Sequence, residues 1–515
     1  MTTARHRFRW AAGVMPMLPV AAAAGLAVWS LGFGLPFLFR SDEDVMVGRS
    51  VRMVVEHSLD PLFYNYPPLG FYVFAAAEAA LSLVPGQHLG PATRIDPSAE
   101  YLAARAVSAA ALVAATALVY RAGRSAYGTA GGVLAATCLA LAPLAVRQAH
   151  FATTDSLAMA LVALTFWAGQ RASGRGGFLL AGIVCGLAAA TKYTSAAAAV
   201  YLLVLALGGP DRWGRLLAAA GSAALAFAAV FVPAGHPLDF LRGLAFLGGR
   251  AGQEYAGLPL GLVYHPTVSL PFGLGLGSYA LALAGIVVAV VRRARTDLAL
   301  LAFVGAYFLA SGLTHEVFFR YALPLLPALS VLAGGLVRAV PTRAGAQAAA
   351  GGLALLLLAP AGYASVTTDR LLGAQDTREQ AAGWLQTNAP PGSQIRIGTY
   401  WWQPFYGASE LGEGGLHAIY ATGNPIVDSF QMGRYTDRFN VNREGAPCYA
   451  LAASGPPWQS PPRDTASAPA AIFKPYTGDS PVGAVYDPID SFYLPIWGFA
   501  SLDRPGPAVV IEACG

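Results

Sequence analysis

Three carboxylates follow one another in "FLFRSDEDVMVGRS", residues 37–50, where an apolar run ends at Phe39 and Asp42, Glu43 and Asp44 begin. Ionised acids this close repel one another beside an apolar surface. A plain solvent turn is one use of such a cluster; a proton acceptor or cation site at a membrane surface is another. Three further polar groups interrupt apolar stretches. "RQAHFATTDSLAMAL" carries His150 and Asp155, "AAATKYTSAAA" carries Lys192 and Tyr193, and "SGLTHEVFFRYALPLLPAL" carries His315, Glu316, Arg320 and Tyr321. A carboxylate can take the proton of an attacking hydroxyl. Lysine or arginine can hold a phosphate, arginine with a two-pronged fork. A phosphate whose charge is neutralised leaves readily, with no strong acid beside it. The set therefore suits group transfer from a phosphate-linked lipid.

Each residue also has a plainer use. Asp155 follows Thr153 and Thr154 and fits a helix N-cap. Asp44 fits the cap of an amphipathic surface helix through "VMVGRSVRMVVEHS". Lys192 can snorkel to an interface. His150 and His315 fit ordinary interfacial histidines, and Glu316 and Arg320 an i,i+4 pair. "YNYPPLG" fits a stiff turn, because Pro67–Pro68 keeps the preceding backbone extended. These uses do not explain why acids and cations gather on one side of the chain's topology. Ionisable groups at membrane depth are costly, so function is the default reading there.

The elements that must position these groups are membrane helices. Of 515 residues, 55% are hydrophobic and 12% charged, with mean hydropathy +0.50. Soluble domains carry about 25% charged residues. The net charge of +5 is thus no sign of nucleic-acid binding and must be read by position. Apolar segments predict about eleven spans, judged against the ~20 residues of a bilayer crossing. They fall near 12–38, 101–120, 128–146, 155–170, 177–190, 194–208, 214–233, 268–291, 298–312, 318–338 and 345–364. The first follows Arg5, Arg7 and Arg9 and is too long for a signal-peptide core. With the N-terminus inside, the connections 121–127, 171–176, 209–213, 291–297 and 339–344 are short and bordered by arginine. This satisfies the positive-inside rule and puts the C-terminus outside a cell membrane.

Three outer segments are long: 39–100, the region around 234–266, and the tail from about 366 to 515. The tail turns rich in Pro, Gly, Asp, Asn and Tyr. "DTREQAAGWLQTNAPPGSQIRIGTY" predicts a capped helix, a turn and a strand, and "PAVVIEACG" a closing strand. The expected architecture is an all-α polytopic membrane domain over 1–365 and an extracytoplasmic α/β domain over 366–515. Cys138 and Cys185 fall in predicted helices. Cys448 and Cys514 fall in the tail, where pairing and free thiols are both open.

The order of these pieces resembles the GT-C membrane glycosyltransferases, above all the dolichyl-phosphate-mannose–protein mannosyltransferase and aminoarabinose transferase group. "SDED" followed by "YNYPPLGFYVF" looks like that family's first outer loop, and "APLAVRQAHFATTDSLAMAL" like its third-to-fourth helix junction. "GLAAATKYTSAA" looks like its Thr-Lys motif and "RYALPLLPAL" like its late-helix signature. The resemblance implies inverting transfer of a sugar from a polyprenyl-phosphate donor to a glycan, lipid or protein acceptor outside the cytoplasm. It implies Asp42 as base, with Glu43 as its motif partner, and Asp155 as the second acid. Charge and side add Lys192, Arg320, His150 and Tyr321 as donor-phosphate or substrate contacts. Aminoarabinose-type relatives often carry an acid-lysine pair just before the prolines, where Asn65 and Tyr66 stand here. A divalent metal ion on Asp42, Asp155 or a nearby histidine has no clear ligand spacing behind it. Tyr486 and Tyr493 of the tail either pack or line the acceptor cleft. A transporter or flippase of lipid-linked or small solutes is the alternative, although internal repeats and mid-membrane charges are not evident.

Overall fold

The computed structural model describes residues 15–35, 41–86, 89, 97–251, 258–390, 394–397, 447–454, 468–478, 483–489 and 493–513. Each of the eleven apolar segments contains a helix or a broken run of helices. Among the described residues, Ser98–Tyr127, Gly174–Thr191, Arg212–Phe231 and a run within Ala344–Leu385 are long and apolar enough to cross a membrane. Two further pairs bend sharply, Thr129–Ala140 with Pro143–Ala149 by 60° and Gly261–Leu274 with Leu276–Arg292 by 116°. Shorter apolar helices include Met17–Val28, Leu69–Leu81 and Leu325–Arg338. Arg5, Arg7 and Arg9 lie outside the described residues.

Local chemistry explains the breaks. The basic stretch 121–127, expected as a loop, is the last two turns of helix Ser98–Tyr127. Chain reversal falls to Gly128 at φ 88, a conformation that only glycine adopts cheaply. Pro143 opens its helix, where its missing N–H costs nothing. Helix Leu69–Leu81 starts directly after Pro67–Pro68 and is too short to register as a span.

The chain divides into two compact units. The first holds residues up to 29, 59–73 and 105–366. Its helices approach closely at small residues. A Cβ on Gly186 would lie 2.2 Å from the Ala223 carbonyl oxygen, so helices Gly174–Thr191 and Arg212–Phe231 pack backbone against backbone there. Near one end, the buried Asp297 takes Arg292 through two nitrogens, at 2.6 and 3.0 Å, and the Tyr127 hydroxyl at 2.8 Å. This ties three helix ends together.

The second unit holds 30–58, 74–104 and 367–515. Helix Ser41–Val55 begins on the acid cluster, with Asp42, Glu43 and Asp44 in its first turn, where the helix dipole favours negative charge. In the tail, Asp376 caps helix Thr377–Asn388 by accepting from the Arg378 N–H at 2.8 Å. The same carboxylate takes the Arg378 guanidinium, which lies over the Tyr493 ring at 5.3 Å. That contact gives Tyr493 a packing role. Four strands, β1 (Gln394–Ile397), β2 (Cys448–Ser454), β3 (Ala471–Phe473) and β4 (Ala508–Ala513), form one sheet in the order β1-β2-β4-β3. β1 and β2 are parallel; β4 runs antiparallel to β2 and β3. Ala381, Ala382 and Leu385 of the helix pack on Leu451, Val509 and Ile511 of the sheet. Cys448 is disulfide-bonded; Cys514 lies outside the described residues.

The close helix pair predicts a contrast between two glycines. Gly186→Val should lower stability by about 1–3 kcal/mol through overpacking. Gly221→Val, with nothing within 4 Å of its Cβ, should leave the melting temperature of the detergent-purified protein nearly unchanged. Equal effects would contradict the packing.

Candidate functional site

The first unit brings Asp155, Lys192, Arg320 and Tyr321 together through three irregularities of the backbone. Thr153, in extended conformation, is the N-cap of helix Thr154–Arg171. Asp155 therefore sits inside the first turn and is not the cap. Lys192 ends helix Gly174–Thr191 with φ -149 and ψ 121, before a 3-10 turn over Tyr193–Ala197. Arg320 and Tyr321 lie on the 3-10 turn Phe319–Ala322, just ahead of helix Leu325–Gly334.

These breaks aim the charges inward. The Lys192 ammonium donates to Asp155 Oδ1, with the two side chains 9% and 3% exposed. Lys192 thus does not snorkel to an interface. Its Nζ also lies 5.3 Å from the Tyr321 ring centre, a cation–π distance. Arg320 is buried, with its guanidinium 4.5 Å over the Phe318 ring. The positive charges of both Lys192 and Arg320 act on the Asp155 carboxylate.

The "YNYPPLG" loop lies against this group. A Cβ on Gly70 would meet Thr154 Cγ2 at 2.5 Å, so the first turn of helix Leu69–Leu81 needs glycine where it crosses the start of the Asp155 helix. Tyr193, next to Lys192, donates its hydroxyl to the Tyr64 carbonyl at 3.0 Å. The Tyr64 hydroxyl donates to Asp60 Oδ1 at 2.8 Å, an oxygen that also accepts the Leu62 N–H. Burial, then this bond to Asp60, raises the Tyr64 phenol pKa well above its ordinary value. The other Asp60 oxygen is 3.8 Å from His236 Nε2, and His236 Nδ1 is 3.9 Å from Asp239. Hydropathy does not single out Asp60, Tyr64 or His236; the Asp60-Pro61 turn signal is the one local hint.

His150 is fully buried, and its ring nitrogens face the Val146 carbonyl at 2.9 Å and the Trp29 carbonyl at 2.6 Å. Its ring thus joins the end of the first helix to the junction before Asp155. His315 is bonded to the Leu258 carbonyl at 2.9 Å. Asp42 and Glu43 belong to the second unit. There Glu43 and Asp44 are buried and Asp44 accepts from the Tyr101 hydroxyl at 2.8 Å, while Asp42 is half-buried. Among the described residues, no three His, Cys, Asp or Glu side chains gather as a metal-binding group. Asp155 faces a lysine, so no catalytic step is assigned to a metal.

Residues 93–235 match the sequence profile of the family described as dolichyl-phosphate-mannose-protein mannosyltransferase. No curated protein matches the chain by sequence. The chain is similar to the apo oligosaccharyltransferase of Archaeoglobus fulgidus at TM-score 0.51 and 15% identity, over 86% of this chain and 69% of that one. It is similar to ArnT from Cupriavidus metallidurans bound to undecaprenyl phosphate at TM-score 0.51 and 17% identity, over 84% and 92% of the two chains. AglB of Archaeoglobus fulgidus, in complex with an inhibitory peptide and a dolichol-phosphate, aligns at TM-score 0.50 and 16% identity over 74% of this chain. The alignment spans 59% of the AglB chain. At such identities the likeness is one of fold. The chain has the fold of these membrane glycosyltransferases, and residues 93–235 carry the profile of a mannosyltransferase family.

The buried pair can be tested without substrate. Asp155→Asn strands a buried ammonium and should cost about 3–5 kcal/mol. Asp155→Asn combined with Lys192→Met removes both charges and should recover most of that loss in detergent unfolding curves. A double variant as unstable as the single one would contradict a direct pair.

Proposed function

We propose that the chain is a GT-C glycosyltransferase that moves a sugar from a polyprenyl phosphate to an acceptor hydroxyl outside the cytoplasm, with inversion. One observation carries the reading: two cations, Lys192 and Arg320, are buried beside one carboxylate in a chain of membrane helices. Such groups are expensive there and need a use. A lipid phosphate supplies it. Undecaprenyl phosphate and a dolichol-phosphate are the lipids bound by two proteins of similar fold, and the family profile names a dolichyl-phosphate donor.

In the proposed reaction Asp42 takes the proton of the acceptor hydroxyl. The acceptor oxygen attacks the anomeric carbon from the side opposite the phosphate. The carbon–oxygen bond to phosphate breaks, and the electron pair leaves with the lipid phosphate. Lys192 and Arg320 balance that charge. Of the three acids in the first turn of helix Ser41–Val55, Asp42 is the more accessible, which suits a base that must reach substrate. Asp155 holds Lys192 until the phosphate competes for it. His150 acts through backbone placement, and Tyr321 through its ring under Lys192. About eleven spans place the N-terminus in the cytoplasm and the tail, an α/β domain, outside; the disulfide at Cys448 fits an oxidising compartment.

Labelled polyprenyl-phosphate sugars, offered to membranes carrying the protein, test this directly. Asp42→Asn should slow transfer about a hundredfold to ten-thousandfold, as loss of a general base does. Equal rates would remove Asp42 as base. No transfer by folded wild type from any donor, with solute uptake into proteoliposomes surviving Asp42→Asn and Asp155→Asn, would favour a transporter instead.

A further inference from the structure

Tyr307 is a buried tyrosine on helix Arg295–Gly312. Neither charge nor a motif marks it, yet three site-bearing segments meet on it. Its hydroxyl donates to the Tyr321 carbonyl at 3.0 Å. Thr194, two residues after Lys192, lies beside the Tyr307 hydroxyl. Its ring lies 5.9 Å from Phe303, and Phe303 lies 4.9 Å edge-on to Phe166. Phe166 belongs to the helix that begins at Thr154 and carries Asp155, and Tyr201 closes the ladder at 4.8 Å.

We propose that Tyr307 is a positioning residue for the donor-phosphate site. The Tyr307 hydroxyl, bonded to the Tyr321 carbonyl and with Thr194 beside it, sets the Lys192 turn and the Arg320–Tyr321 turn in register. Lys192 Nζ stands over the Tyr321 ring, so a shift of either turn moves the ammonium relative to Arg320. Two cations recognise one phosphate only when their spacing matches it. The aromatic ladder holds the Tyr307 ring, and the hydroxyl alone transmits the register. Removing the oxygen therefore spares packing and loosens the charge geometry. Tyr307 itself does not touch the lipid in this scheme. The inference rests on the donor-phosphate reading of Lys192 and Arg320.

The test compares decaprenyl phosphate with decaprenol, which has the same tail and no phosphate. Binding to the full-length protein in detergent is followed by native mass spectrometry. Tyr307→Phe should weaken decaprenyl phosphate binding about tenfold, the scale of one lost buried hydrogen bond, and leave decaprenol binding unchanged. Thr194→Val, at an exposed position where folding is not at stake, should act in the same direction. Equal weakening of both lipids by these variants would mean a general structural role and overturn the proposal. So would unchanged phosphate binding. Wild type that binds the two lipids equally would instead sink the donor-phosphate reading, and this inference with it.

Discussion

The arrangement depends on the burial of one ion pair. Asp155 and Lys192 each carry a desolvation cost that neither could bear alone. Together they are neutral, and the helix start beneath Asp155 adds favourable dipole. The pair therefore constrains everything around it. Lys192 must turn inward, so the helix before it ends at Thr191 and the chain passes through an extended residue before it resumes. Asp155 must face that break, which fixes how helix Thr154–Arg171 packs against Gly174–Thr191. The Tyr321 ring must lie under the ammonium, and that places the Phe319–Ala322 turn.

The same constraint explains where irregular backbone occurs. Helix interiors satisfy their own N–H and C=O groups, whereas breaks do not, and in a membrane chain such breaks survive only inside protein. The breaks at Thr153, Lys192 and Phe319–Ala322 all serve the site. Their polar groups find partners nearby: the Lys192 N–H reaches the Ala188 carbonyl at 3.1 Å, and the Tyr321 carbonyl takes a phenol. A straight helix through any of these points would lose a charge-bearing corner.

That logic separates what the amino-acid order reveals from what it hides. Apolar runs long enough to matter are legible because hydropathy is a local property; hence every expected segment contains helix. Asp155 and Lys192 are visible as polar intrusions, but their pairing across 37 positions is not. Judged singly, Asp155 resembles a cap and Lys192 a snorkelling residue, and the structure supports neither. Helix Leu69–Leu81 escapes because a short apolar stretch after two prolines resembles loop. Tyr307 escapes more completely. Its neighbours are aromatic and aliphatic, so nothing separates it from membrane packing until its hydroxyl is seen on the Tyr321 carbonyl. Asp60 and His236 meet only through tertiary contact between two stretches distant in sequence.

Counted over its three charged side chains, the proposed donor site carries one negative and two positive charges. A sugar linked through a lipid phosphate is a phosphodiester with a single negative charge, so its arrival neutralises that set. Transfer turns the diester into a monoester, whose second ionisation falls near pH 6. The product therefore gains negative charge after the sugar departs. That gain is met by cations already in place, which need no reorganisation. It also leaves the set over-filled, with the Asp155 carboxylate competing for the same ammonium. On this reading Asp155 has two duties. It keeps Lys192 buried and oriented while the site waits, and it reclaims Lys192 as the spent lipid leaves.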